Sequence, residues 1–502
     1  MSQAAHAEAI RALQGGDFRA AEQHCRTALE SNPDDPGALN TLAVILSRTG
    51  RLRDACLVLE RMVAADGSNP LVKFNLGSIL QRLGRHRHAA EMLASALETH
   101  PDIAEAHTGL ARSLNALGHH AEAAEAAERA LWINAGHAPA LLEMARAERM
   151  GGQPASARDR VAGAVEWESV SARDRARLLV ELGRAHDALG AYDDAFDSFE
   201  RACAVRAESP EFKRLNPQVH QMLIRSLGDW AQPGCAADWP ASWAKAPSKD
   251  DPAFIVGFLR SGTTLLERIV GSHPRLATTD EALAIPKILG EIGLKSLTTA
   301  LPQIHRIRAL ELQRVYSQFL RQTLADDLPD DARVVDKLAL NIINLPIIRR
   351  VFAGSKVIVA LRDPRDVVMS CLMQPWDANF TSVRFRDAGS IAQVYSEVMG
   401  LWTRYREVLG LDYAEVRYEQ LVSDTEGESR RVIGFLGEAW DDDVLAYRTG
   451  AGDRMATTPG AEAVARPVYD SSIGRWKRYA HRMGPAIDAV APFVASFGYE
   501  TA

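Results

Sequence analysis

The pattern of apolar and polar positions changes character near residue 250 of the 502. Before that point, small and apolar residues return with the spacing of amphipathic helices, and the helices themselves recur. Gly16, Gly50, Gly84, Gly118 and Gly152 stand 34 residues apart, and Gly190 follows after 38. Five positions after each comes a small residue: Ala21, Ala55, Ala89, Ala123, Ala157 and Ala195. Seven positions further on come Ala28, Met62, Ala96, Ala130, Ala164 and Ala202. The unit that this spacing predicts is a helix hairpin. Glycine ends the first helix, where the chain needs a positive φ that side chains resist. The alanines let the second helix lie close against the first and its neighbours. Prolines such as Pro33 and Pro101 punctuate the exit from the second helix.

With period, glycine and alanine positions in agreement, this stretch resembles the tetratricopeptide repeat, in about six copies over residues 1–208. The fifth and sixth copies are less regular, and the tryptophan and tyrosine of the consensus first helix are mostly missing. Such an α-solenoid implies a concave face that binds a peptide or protein partner. The alternative roles are packing against the rest of the chain and self-association, for example as a homodimer. A solenoid carries no chemistry of its own, so a reaction has to be sought downstream.

Residues 209–250 are rich in breakers and read as a linker with one short helix near Val219 to Trp230. Its tryptophans, Trp230, Trp239 and Trp243, mark it as packed. From Ala253 onward short apolar runs alternate with helical stretches: "AFIVGF", "RLATTD", "ARVVDK", "KVIVALRD" and "DYAEVRYEQL". Continuous apolar runs predict strands buried on both faces, and the intervening helices predict a parallel sheet. The fold class is therefore α + α/β: the solenoid over 1–208, the linker over 209–250, and a P-loop-like parallel-sheet domain over 251–502. Ligands of such sheets sit at the carboxyl ends of the strands.

Two strand-to-helix turns carry candidate chemistry. "GFLRSGTT" has the spacing G-x-x-x-x-G-T-T, with the strand ending at Phe258 and a helix starting near Gly262. The amides of Ser261 to Thr264 would face an anion at the helix N-terminus, with Arg260 and the hydroxyls of Ser261, Thr263 and Thr264 as further donors. A nucleoside-triphosphate loop keeps a lysine where this one has Thr263, and no carboxylate for magnesium stands out. In "KVIVALRDPRDVVMS", Arg362 and Ser370 are eight residues apart and can both reach a second phosphate. Arg475 in "GRWKRY" is a further candidate for that phosphate, whereas Trp476 reads as packing.

The two turns together resemble the sulfotransferases that use 3′-phosphoadenosine 5′-phosphosulfate (PAPS), over residues 252–480 or so. The resemblance implies that Arg260, Ser261, Gly262, Thr263 and Thr264 hold the 5′-phosphosulfate, and that Arg362 and Ser370 hold the 3′-phosphate. The detail is similar to the tyrosylprotein sulfotransferases. "TTDEALAIPKIL" places Glu281 at the catalytic glutamate, "VVDKLALN" places Lys337 at the catalytic lysine, and "VRYEQLV" makes Tyr418 a nucleotide contact. "ARPVYDSSIGRWKRY" places Arg466 where a basic residue touches the cofactor. Three departures stand out. The usual proline before the arginine of the first loop is Leu259, the arginine after the glutamate is Leu283, and the serine before the final basic residue has no clear counterpart, with Thr457 and Thr458 near Gly460.

The expected reaction is sulfuryl transfer to an acceptor hydroxyl, protein or peptide tyrosine recruited by the repeats. Glu281 would act as general base, and Lys337 with Arg260 would balance the charge that develops. The donor is PAPS, the product is adenosine 3′,5′-bisphosphate (PAP), and the chemistry calls for no metal. The alternatives are a polysaccharide, lipid or small-metabolite acceptor, which Leu283 favours, and a nucleotide-binding scaffold without turnover. A P-loop kinase is a more distant reading. Glu281 as a mere helix cap, Lys337 as a surface lysine and Tyr418 as a core residue are the bland readings of those positions. A net charge of −7 argues against nucleic-acid partners. Cys25, Cys56, Cys203, Cys235 and Cys371 form no close pair, which speaks against disulfides and zinc. No signal-like or membrane-spanning apolar run occurs, so the expected location is the cytoplasm, and the order of repeats and transferase resembles the architecture of bacterial sulfotransferases.

Overall fold

The structure, a computed structural model, describes residues 2–240, 251–293, 297–321, 324, 332–447 and 472–500. Trp243, Thr457, Thr458, Gly460 and Arg466 lie outside these described residues.

In the first 190 residues, the glycines spaced at 34 do what their spacing demands. Gly16, Gly50, Gly84, Gly118 and Gly152 have φ between 73° and 86°. At each one the helix ends in the same pair of hydrogen bonds. The glycine N–H reaches back three residues, as in Gly50 to Ser47 O at 3.3 Å, and the next N–H reaches back five, as in Arg51 to Leu46 O at 2.8 Å. This motif closes the orphan carbonyls of a helix end, and it needs a left-handed residue that only glycine adopts without cost. The hairpins that result begin with Ser2–Gln14 and Phe18–Ser31 and end with Ala138–Met150 and Pro154–Ala164. Every alanine five residues after a repeat glycine is fully buried. The first three hairpins share one apolar core that runs from Ala9 to Ala89.

The chain divides into two compact units between Leu189 and Gly190. The helix Tyr192–Ala207, expected as the second half of a sixth repeat, is thus part of the second unit. Its sequence explains why. Phe196, Phe199 and Cys203 enter the core of the α/β unit. Tyr192 meets Tyr479 edge-on at 5.5 Å, and Arg482 pairs with Asp197. The helix expected near 219–230 is Pro217–Trp230, and Trp230 stacks on Trp239 at 5.7 Å.

Among the described residues the second unit has five strands: β1 (Ala253–Gly257), β2 (Leu276–Asp280), β3 (Arg333–Lys337), β4 (Lys356–Leu361) and β5 (Asp412–Arg417). All pairings are parallel, in the order β2-β3-β1-β4-β5. Alternate residues of the central strands feed opposite cores. Phe254, Val256, Val357 and Val359 join the core on one face, and Ala253, Ile255, Ile358 and Ala360 join the core on the other. This two-sided burial is what the unbroken apolar runs predict. The strand order turns around β1, so its carboxyl end, between β3 and β4, is the natural crevice for a ligand.

Candidate active site

Register aligns the carboxyl ends of the strands. Asp280, the last residue of β2, is the partner of Lys337, the last residue of β3, and Leu361 of β4 is the partner of Arg417 of β5. Lys337 ends β3, Glu281 follows β2, Arg260 to Thr264 follow β1, Arg362 and Ser370 follow β4, and Tyr418 follows β5.

After β1 the chain turns through Arg260, at φ 68°, and Gly262, at φ 97°, into the helix Thr263–Gly271. Gly262 stands at the N-cap, and no side chain caps this helix, whose first amides are of the kind that a helix leaves without an intrahelical acceptor. Of the amides expected to face an anion, that of Ser261 is already taken, by Phe258 O at 3.2 Å. Ser261 and Thr263 are themselves buried. A Cβ on Gly262 would lie 2.6 Å from the Tyr418 ring, so only glycine fits there.

The turns after β1, β4 and β5 are linked side chain to side chain. Arg260 Nε donates to Ser370 Oγ at 3.2 Å. Arg362 donates to Arg260 O at 3.3 Å, and its guanidinium lies 4.9 Å from the centre of the Tyr418 ring. Tyr418 OH meets Ser472 Oγ at 3.1 Å, and Ser472 O accepts from Arg362 at 2.6 Å. Arg362 is buried, and its Nε has no hydrogen-bond partner among the described residues. A buried guanidinium with an unused donor fits a phosphate. Asp366, in the helix Pro364–Leu372, accepts the amides of Gly474 and Trp476 at 2.7 and 2.9 Å. That bond pair pins the backbone on either side of Arg475 against the β4 turn. Trp476 is buried under Arg365, 4.0 Å from its ring centre, so it packs as the sequence suggests.

The ends of β2 and β3 carry the other half of the site. Lys337 has no exposed surface at all, which rules out a surface lysine. Its Nζ lies 2.5 Å from Asp280 Oδ1 and 3.6 Å from Glu281 Oε1. Burial disfavours its charge, but Asp280, Glu281 and Glu267 together outweigh burial and raise its pKa above the ordinary lysine value. Glu281 stands at φ 53°. Its side chain is about two-fifths exposed and caps nothing: Leu283 stands at the N-cap of the next helix, Ala284–Ile292, and no side chain caps it. Asp280 is the partner of Lys337 that the sequence reading did not single out. The only signal was two carboxylates in a row in "TTDEAL". Ser472, in a segment without periodicity, was also missed.

Arg260 and Glu281 are the two non-glycine residues with positive φ among the described residues. Such backbone costs about 1–2 kcal/mol per residue and persists where function demands a side chain. Glu281→Gly is therefore expected to be more stable than Glu281→Ala by about 1 kcal/mol, because both lose the carboxylate but only glycine relieves the backbone. Urea denaturation of the two variants checks this, and equal midpoints would contradict it.

Beneath Lys337 lies a closed relay. Asp336, fully buried, accepts from Thr279 Oγ1 at 2.9 Å and Tyr316 OH at 3.0 Å, and Lys337 N–H donates to Thr279 Oγ1 at 3.2 Å. Burial pushes the Asp336 carboxyl up to about 6, with these hydrogen bonds and the Lys337 charge only partly opposing it. A raised folded-state pKa means that the native protein holds a proton that the unfolded chain has lost between about 4 and 6. Stability contributed at Asp336 therefore falls as pH rises through that window. Relative to Asp336→Asn, the wild type is expected to lose ground from pH 4 to pH 6 and hold a constant difference above it. Denaturation curves at both ends of the window test the sign.

Similarity to known proteins bears on this arrangement. Residues 252–442 match the profile described as "Sulfotransferase family", and residues 12–80 and 74–139 match tetratricopeptide-repeat profiles. A protein of Aquifex aeolicus described as uncharacterised is 29% identical over 249 residues, 48% of this chain and 32% of that protein. "Protein-tyrosine sulfotransferase A" of Caenorhabditis elegans is 23% identical over 255 residues, 49% of this chain and 67% of that one. "Protein-tyrosine sulfotransferase 2" of Gallus gallus is 24% identical over 277 residues, 50% of this chain and 71% of that one. The chain thus spans about a third of the Aquifex relative and about two thirds of the other two. Among the described residues no helix is long and apolar enough to cross a membrane.

Proposed function

We propose that this chain, in which a sulfotransferase domain with homology to protein-tyrosine sulfotransferases follows tetratricopeptide repeats, moves a sulfuryl group from PAPS to an acceptor hydroxyl, with protein or peptide tyrosine as the acceptor. The observation that carries the reading is a half-exposed Glu281 placed beside the fully buried Lys337, which Asp280 holds, at the edge that also bears Arg260 and Arg362.

In this reading Glu281 Oε1 takes the proton of the acceptor hydroxyl. The Lys337 ammonium, the Arg260 guanidinium and the first amides of the helix Thr263–Gly271 offset negative charge on the group in transit. Arg362 and Ser370 hold the 3′-phosphate, with Tyr418 and Arg475 beside them, and Arg466 is proposed from the sequence alone. When bound, the donor supplies the activated sulfuryl group and leaves as PAP. The left-handed backbone at Glu281 fixes the base in place, which lowers the entropy cost of a productive geometry. The repeats serve to recruit the acceptor protein. The cytoplasm is the proposed location.

Leu283, 58% exposed two residues from Glu281, favours an acceptor without acidic flanks, and it keeps a glycan or small-metabolite acceptor as the second reading. Sulfur-labelled donor incubated with tyrosine peptides, glycans and small hydroxyl compounds separates the readings. Label on tyrosine, lost in Glu281→Ala, is the expected result. Label in the glycan or small-molecule fraction would replace the acceptor, and bisphosphate binding without transfer to any fraction would leave a scaffold.

A further inference from the structure

The two adjacent carboxylates after β2 do not occupy equivalent places. Asp280 ends the strand in register with Lys337, and its Oδ1 lies 2.5 Å from Nζ. At the next residue the chain leaves the strand through a left-handed turn, φ 53° at Glu281, although Glu281 N–H still donates to Lys337 O at 2.9 Å. The turn sets Glu281 Oε1 at 3.6 Å from Nζ, beyond hydrogen-bond distance. One lysine therefore pairs with two adjacent acids, and only Asp280 lies within hydrogen-bond distance of it.

A base that is locked in an ion pair is a poor base, because the cation stabilises its unprotonated form. We infer that Asp280 is a positioning residue that takes the ion pair with Lys337 on itself, keeping the ammonium in place and leaving the Glu281 carboxylate for the acceptor. The inference rests on the function proposed above. It adds a division of labour between neighbouring carboxylates whose surroundings differ. The charged groups that face Lys337 are Glu267 from the helix Thr263–Gly271, Asp280 and Glu281 from the end of β2, and Asp336 from its own strand, with Arg268 acting on Asp280 and Glu267. Among the described residues Asp280 makes the shortest ion pair to Lys337.

Asp280→Asn removes this partner from a lysine with no exposed surface. The alkaline limb of kcat is expected to move down by about one to three pH units, with KM for the donor little changed. Asp280→Glu, which keeps the charge, is expected to restore most of the limb. A merely structural Asp280 would lower the rate equally at every pH, or lower the melting temperature, without moving the limb. A second readout is independent of turnover. The pH titration of the Lys337 ε-carbon resonance, assigned with Lys337→Arg, is expected to shift down in Asp280→Asn by the same amount. An unmoved resonance and an unmoved limb would overturn the role of Asp280. If the wild type neither binds bisphosphate nor transfers label, the proposed function fails, and the resonance alone then decides the ion pair.

Discussion

Glu281→Gln is expected to lower the rate of sulfuryl transfer by about 10²–10⁴-fold, the range set by loss of a positioned general base. Binding of adenosine 3′,5′-bisphosphate is expected to change little, because the Arg260, Ser370 and Arg362 set lies on the turns after β1 and β4, not on the turn after β2. The substitution keeps the size of the side chain and removes only its capacity to take a proton. The residue is half-exposed and outside hydrogen-bond distance of Lys337, so folding should be nearly unaffected. Single-turnover transfer from labelled donor, beside calorimetric titration of the bisphosphate, measures both halves. Equal loss of binding and rate would mean that Glu281 shapes the pocket instead of moving a proton.

Lys337→Met carries the second large effect, and it acts on stability and rate together. The methionine leaves Asp280, Glu281 and Glu267 without their shared cation. Breaking a buried pair in this way costs about 3–5 kcal/mol, and the partial exposure of Asp280 and Glu281 brings the expected loss down to about 2–3 kcal/mol. Transfer is expected to fall by about 10²-fold or more as one compensating charge of the reaction disappears. The double variant Lys337→Met with Asp280→Asn separates the two effects. It should regain part of the stability, since one stranded carboxylate is gone, and none of the rate. Recovery of the rate in the double variant would show that Lys337 matters only for folding.

Much of this architecture is visible in the sequence because its causes are local. The repeat glycines announce themselves by period and are forced by the left-handed helix ends they make. The five strands are visible because continuous apolar runs mean burial on two faces, and β1 and β4 do feed two cores. The order of the strands is not visible, since a run buried on both faces does not say which neighbours it has. The helix Tyr192–Ala207 carries the repeat's glycine and alanine spacing yet belongs to the second unit, because Phe196 and Phe199 outweigh the spacing once a large apolar core is available.

The candidate site was legible by residue type but not by geometry. Arg260, Glu281, Lys337, Arg362 and Ser370 stand at or after strand ends, where polar residues closing an apolar run are conspicuous. That Asp280 and not Glu281 holds Lys337 depends on a single φ of 53°, which no pattern of residue types encodes. Likewise Ser472 meets Tyr418 and Arg362 only because Asp366 anchors the amides of Gly474 and Trp476 across a long stretch of chain.

The central claim is that the edge after β1 and β4 is built for a 3′-phosphorylated adenosine nucleotide and not for a triphosphate. Calorimetric titration with adenosine 3′,5′-bisphosphate and, separately, with magnesium ATP tests it most directly. The account predicts saturable bisphosphate binding that weakens by about 10–100-fold in Arg362→Ala, the worth of a charge-assisted hydrogen bond of about 1.5–3 kcal/mol. Magnesium-dependent ATP binding without bisphosphate binding, or bisphosphate binding indifferent to Arg362, would contradict it.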